Sequence, residues 1–116
     1  MKKIFIILLF ILSLCGCNNE TLINENYIDK IVKDKEYTII DVRTKEEYNE
    51  LHVKNSINVP IDEISNIDFD KDKIIFVYCK SGNRSNIAYE MLSDLGYTVY
   101  DLGGIDDIDL SKVKES

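Results

Sequence analysis

Basic side chains are in short supply in this 116-residue chain: 14 Lys and Arg stand against 21 Asp and Glu, for a formal net charge of -7. Without a basic patch there is nothing to hold nucleic acid or to draw the protein to anionic lipid. Only three cysteines and one histidine are present. Cys15 and Cys17 lie beside an N-terminal apolar run, so Cys79 is alone in the rest of the chain and an internal disulfide there is excluded. His52 reads as a structural hydrogen-bonder. The longest apolar run, Ile4 to Leu12, is too short to cross a bilayer, which takes roughly 20 residues. No repeat or low-complexity tract interrupts the chain, and its length argues for one domain.

What is present begins with an export signal. Lys2 and Lys3 form a basic n-region and Ile4 to Leu12 an apolar h-region, the pattern of a secretory signal. Leu14-Cys15-Gly16-Cys17 directly after it resembles a bacterial lipobox, which implies cleavage before Cys17 and lipidation of its thiol. The chain is therefore read as a leader over residues 1–16, a lipidated N-terminus and tether over 17–23, and a folded domain over 24–116. Taking Lys2 and Lys3 from the 14 basic residues leaves 12 against 21 acidic ones. Attachment to the membrane would rest on acyl chains alone, placing the protein on the outer face of a bacterial membrane, in the cell envelope.

Within the domain, strand and helix patterns alternate. Thr21 to Ile23 reads as a short strand, and Asn24 caps a helix bearing Tyr27, Ile28, Ile31 and Val32. Tyr37 to Val42 is β-branched and largely apolar, a strand ending at Arg43. Thr44 and Glu47 have capping-box spacing for a short helix to about Leu51, so Glu46 and Glu47 read as solvated helix residues. Ile57 to Pro60 is extended, Ile61 to Ile64 a helical turn, and Asn66 to Lys73 a charged loop. A last strand, Tyr97 to Tyr100, follows the helix stop Gly96, and Gly103-Gly104 reads as a turn. Such alternation predicts an α/β domain whose parallel sheet carries reactive groups at the carboxyl ends of its strands.

One stretch concentrates the chemistry. Ile74 to Tyr78 are five consecutive β-formers, the mark of a strand buried on both faces, and Cys79 ends it. From Ser85 the apolar residues Ile87, Ala88, Met91, Leu92 and Leu95 recur at helical spacing. Lys80, Ser81, Gly82, Asn83, Arg84 and Ser85 thus form a loop that feeds backbone N–H groups into a helix N-terminus, an anion site. The positive end of that helix, with Lys80 and Arg84, favours the Cys79 thiolate, the reactive form of the residue. Asp41 and Arg43, at a neighbouring strand end, are candidate supporting residues, more readily a buried salt bridge than participants in chemistry.

Three segments then carry a family resemblance: Asp41-Val42-Arg43-Thr44-Lys45-Glu46-Glu47-Tyr48 with His52-Val53 and Ile57-Asn58-Val59-Pro60; the Cys79 to Ser85 loop; and Gly96-Tyr97 leading to Val99-Tyr100-Asp101-Leu102-Gly103-Gly104-Ile105. Together they resemble a single-domain rhodanese. The resemblance implies a rhodanese-like α/β fold, a mainly parallel five-stranded sheet with helices on both faces. It also implies a sulfurtransferase that needs no metal or organic cofactor, in which Cys79 takes sulfur from a small anionic donor such as thiosulfate and holds it as a persulfide. A thiol or cyanide, or a protein partner in sulfur transfer, would accept it. A persulfide carrier with little turnover of its own, or an interaction domain, are the alternatives. Four residues separate Cys79 from Arg84, a shorter cradle than cysteine phosphatases or arsenate reductases build around a tetrahedral oxyanion. Two positions depart from the family pattern. Leu51 replaces the usual glycine, with an expected strain of about 1 kcal/mol at the helix end, and Ile108 replaces the usual tryptophan.

Overall fold

The computed structural model describes residues 22–114. The leader, the lipobox with Cys17 and the tether up to residue 21 lie outside the described residues. In chain order the elements are α1 (Glu25–Val32), β1 (Tyr37–Asp41), α2 (Lys45–Glu50), β2 (His52–Val53), β3 (Ile57–Asn58), a 3-10 segment (Ile61–Asn66), β4 (Ile74–Cys79), α3 (Asn83–Asp94), β5 (Thr98–Gly104), a 3-10 turn (Ile105–Asp107) and β6 (Lys112–Val113). Among the described residues no helix is long and apolar enough to cross a membrane.

β4 owes its central place to its composition. All six of its residues are buried, and their alternation feeds two separate cores. Ile74, Phe76 and Tyr78 join Ile28 and Val32 of α1 on one face, whereas Ile75, Val77 and Cys79 join Ala88 and Leu92 of α3 on the other. The parallel sheet runs in the order β3-β1-β4-β5, with Tyr37 opposite Ile74 and Asp41 opposite Tyr78. Helices on both faces and parallel strands agree with the sequence reading.

Among the described residues the sheet has four strands rather than five. The segment expected to be the first strand contracts to a single parallel bridge, Ile23 to Ile108, because Asn24 immediately caps α1 by accepting from the Tyr27 N–H at 3.1 Å. Gly103 and Gly104 are not a turn but the end of β5, paired with Tyr78 and Cys79 after a register shift between Val77 and Tyr78. β2 and β6 form a separate antiparallel pair. Neither departure from the family pattern disturbs the packing. Leu51 has φ -171, extended backbone without strain, so the expected cost of a missing glycine does not arise. Ile108 is buried at 2% exposure and fills its place in the core.

Candidate active site

Cys79 ends β4 on the α3 face, and the chain turns at once into the loop that opens α3. Gly82 makes the turn with φ +100, a left-handed conformation that side-chain-bearing residues resist. The result is a ring of donors around one sulfur. The Gly82 N–H donates to Sγ at 3.0 Å and the Ser85 N–H at 3.3 Å. Ser85 Oγ lies 3.5 Å from Sγ, accepts from the thiol, and itself donates to the Gly82 carbonyl at 3.2 Å. Burial pushes the Cys79 thiol up, but the Ser85 hydroxyl, which can turn to donate once the sulfur is ionised, and hydrogen bonds from the Ser85, Gly82 and Ser81 N–H groups outweigh it, and the net displacement is downward from 9.0. The site favours a thiolate.

The loop rests on a platform that the sequence did not reveal. A Cβ on Gly104 would stand 2.5 Å from the Lys80 carbonyl oxygen and 3.3 Å from the Ser81 Cα, so the end of β5 must be bare for the loop to lie against it. The Gly-Gly doublet was the available signal, but it reads equally as a turn. Lys80, Ser81 and Asn83 are exposed, with Asn83 the first residue of α3.

Arg84 is not a free cation. Its Nη1 and Nη2 donate to Glu47 Oε1 and Oε2 at 2.8 and 3.2 Å, a two-pronged pair across 37 positions of sequence. Glu47 simultaneously completes the capping box of α2: its Oε1 accepts from the Thr44 N–H at 3.0 Å, while Thr44 Oγ1 accepts from the Glu47 N–H at 3.1 Å. The Arg84 guanidinium, chiefly, holds the Glu47 carboxyl down at about 2. Spacing disclosed the capping role of Glu47 and nothing of its partner at Arg84.

A family model for the rhodanese-like domain matches residues 24–110. The chain belongs to the rhodanese family. It is 44% identical over 80 residues to thiosulfate sulfurtransferase PspE of Escherichia coli (strain K12), covering 65% of this chain and 77% of that protein. The solved structure of a rhodanese with anions from E. coli matches with a TM-score of 0.64 at 40% identity, over 67% of this chain and 98% of that one. Putative sulfur carrier protein YrkF of Bacillus subtilis (strain 168) is 28% identical over 75 residues, 63% of this chain and 40% of the relative. Membership makes the chain a rhodanese-like sulfurtransferase-family protein.

In this rhodanese domain, Asp41 and Arg43 form a buried clamp beside the loop. Asp41 is fully buried and accepts from Arg43 Nη2 at 2.7 Å, from Nε at 2.9 and 3.1 Å, and from the Arg43 N–H at 2.9 Å. Arg43 Nη2 also donates to the Leu51 carbonyl at 2.6 Å, tying the end of β1 to the end of α2. Tyr78 lies beneath that guanidinium, and its hydroxyl accepts from the Val53 N–H at 2.9 Å. His52 is buried, stacks on Tyr48 at 3.6 Å, and its Nδ1 lies 2.7 Å from the Tyr48 carbonyl. These contacts are structural. A cleft of about 460 Å³ at the other end of β1, lined by Tyr37, Ile39, Lys54 and Leu110 among others, shares no residue with the Cys79 loop.

Proposed function

We propose that Cys79 is the nucleophile of a sulfurtransferase that accepts sulfur from thiosulfate or a similar sulfane donor and delivers it to a thiol or to cyanide. The thiolate attacks the outer sulfur of thiosulfate, the S–S bond of the donor breaks, and sulfite leaves with the bonding electron pair. A persulfide anion remains on Cys79. Attack of a thiolate or cyanide on its terminal sulfur returns the Cys79 thiolate, so neither oxidant nor reductant is consumed. The observation that carries the reading is the Sγ atom set among the Gly82 and Ser85 N–H groups at 3.0 and 3.3 Å, fixed donors for a negative sulfur. In this reading the remaining N–H groups of the loop from Lys80 through Ser85 would receive the added sulfur.

The test is loading followed by discharge. Incubated with thiosulfate, the reduced protein is expected to gain one sulfur atom by intact mass, located on Cys79 by peptide mapping, and to release thiocyanate when cyanide is added. A protein that gains no sulfur from thiosulfate or from a polysulfide refutes the reading. The similarity to a putative sulfur carrier supports a second version, in which loading occurs but turnover awaits a protein donor or acceptor; loading without multiple turnovers would favour it.

Placement follows the N-terminal motif. We propose export and lipid anchoring through Cys17, which would tether the acidic domain to a membrane by acyl chains. Cys17→Ser is expected to abolish incorporation of a fatty-acid label and to release the protein from the membrane fraction. Undiminished labelling of that variant would rule the anchor out.

A further inference from the structure

The two arginines of the site are each matched by a carboxylate. Arg43 is paired with Asp41 inside the domain, and Arg84 is gripped by Glu47 through two bonds of 2.8 and 3.2 Å. Of the loop's two cations, Lys80 is exposed on the surface, whereas Arg84 immediately precedes Ser85, whose N–H lies 3.3 Å from the Cys79 sulfur. An arginine in this position would attract an anionic donor if its charge were available. Here an adjoining carboxylate, fixed in a capping box and therefore unable to swing away cheaply, offsets it. The overall acidic balance of the chain works in the same direction.

We propose that Glu47 is a specificity-determining residue of this site: by cancelling the charge of Arg84 it biases the Cys79 pocket against dianionic sulfur donors and toward donors carrying less negative charge, such as hydropersulfides. The consequence for donors rests on the sulfur-transfer reading above; the effect on charge does not. Glu47 touches neither donor nor sulfur and acts at a distance, its negative charge adding to the potential at the sulfur with the opposite sign to that of Arg84.

The decisive experiment uses two alkylating probes of nearly equal size and the same chemistry, neutral iodoacetamide and anionic iodoacetate, with the full domain. Because both report on Cys79, the ratio of their rates cancels access and thiolate fraction and leaves the potential at the sulfur. Glu47→Gln keeps Oε1 as an acceptor for the Thr44 N–H and Arg84 Nη1, and removes the charge together with the longer bond from Arg84 Nη2, whose acceptor oxygen becomes an NH2. At low salt it is expected to raise the iodoacetate-to-iodoacetamide ratio about fivefold, the effect of one unit charge at close range in a partly solvated site. Salt near 1 M, where the screening length is about 3 Å, should collapse the difference. In an Arg84→Gln background, which lowers the ratio, Glu47→Gln should still raise it, and Glu47→Asp should leave it near wild type.

With thiosulfate as donor, whose two charges double the free-energy effect felt by iodoacetate, Glu47→Gln is expected to lower KM about 25-fold while kcat stays within about twofold. A ratio unchanged by Glu47→Gln, with only a lower Tm, would mean that Glu47 merely stabilises α2 and would overturn the proposal even if sulfur loads normally. Conversely, a ratio that shifts as expected in a protein that never loads sulfur would leave the charge-setting role intact and remove the sulfur-transfer reading instead.

Discussion

Asp41→Ala is expected to destabilise the domain by about 3–5 kcal/mol, because it strands a buried guanidinium. Arg43 is 6% exposed and spends three of its donor contacts on the Asp41 carboxylate. Without that partner, only the Leu51 and Glu47 carbonyls remain, at 2.6 and 3.4 Å, and neither carries a compensating charge. For a domain of this size each kcal/mol moves Tm by about 4–8 °C, so a fall of roughly 15 °C or more is expected in thermal unfolding. Pairing the change with Arg43→Met removes the stranded charge and should recover a large part of the loss. Sulfur loading at temperatures where the variant is folded should persist, since the donors around Sγ come from the loop and not from the clamp. A loss under 1 kcal/mol would show that Arg43 escapes to solvent.

Gly104→Ala should have the largest effect on chemistry. The added methyl would meet the Lys80 carbonyl at 2.5 Å, and both sides of that contact are backbone, so no side chain can turn away to relieve it. Gly104 has φ -90, ordinary for alanine, and the conflict is one of space alone. The loop is the freer partner and must lift, carrying the Gly82 N–H away from Sγ. Removing a donor of this kind commonly costs about 100-fold in rate, and a loss of that order is expected in the thiosulfate loading rate, together with a rise in the Cys79 pKa read from the pH profile of alkylation. Gly103→Ala provides the contrast. Nothing lies within 4 Å of its Cβ, so although φ +85 makes it strained by about 1 kcal/mol, the loop should keep its shape and its rate. Equal loss in both variants would contradict the platform.

The parts of this molecule that were legible in sequence are those in which neighbours along the chain determine one another. The apolar run to Tyr78, the glycine three residues after Cys79 and the helical spacing beyond Ser85 are local signals, and together they placed the thiol at a strand end under a helix N-terminus. Thr44 and Glu47 disclosed their capping box for the same reason. What was hidden depends on pairs far apart in the chain. Nothing near Glu47 announces that Arg84 will reach it, and nothing near Gly103-Gly104 says that a loop beginning at Lys80 will press on them; a glycine doublet is equally consistent with a turn. The expected first strand failed on competition between local signals, since the cap at Asn24 starts α1 before Ile23 can extend its single bridge.

The strand order has a kinetic consequence for the thiol. β4 lies between β1, which precedes it, and β5, which follows a whole helix later, so neither neighbour can dock through a short hairpin. Parallel pairings of this kind close long loops before their contacts reward them, which slows folding. Cys79 is fully covered in the finished domain, and part of that shelter is Gly104, the last residue of β5, the strand of this sheet that comes last in the chain. Until β5 pairs with β4, the side of Cys79 that Gly104 covers stays open. Slow pairing of β5 with β4 therefore lengthens the interval in which that side of the thiol is uncovered.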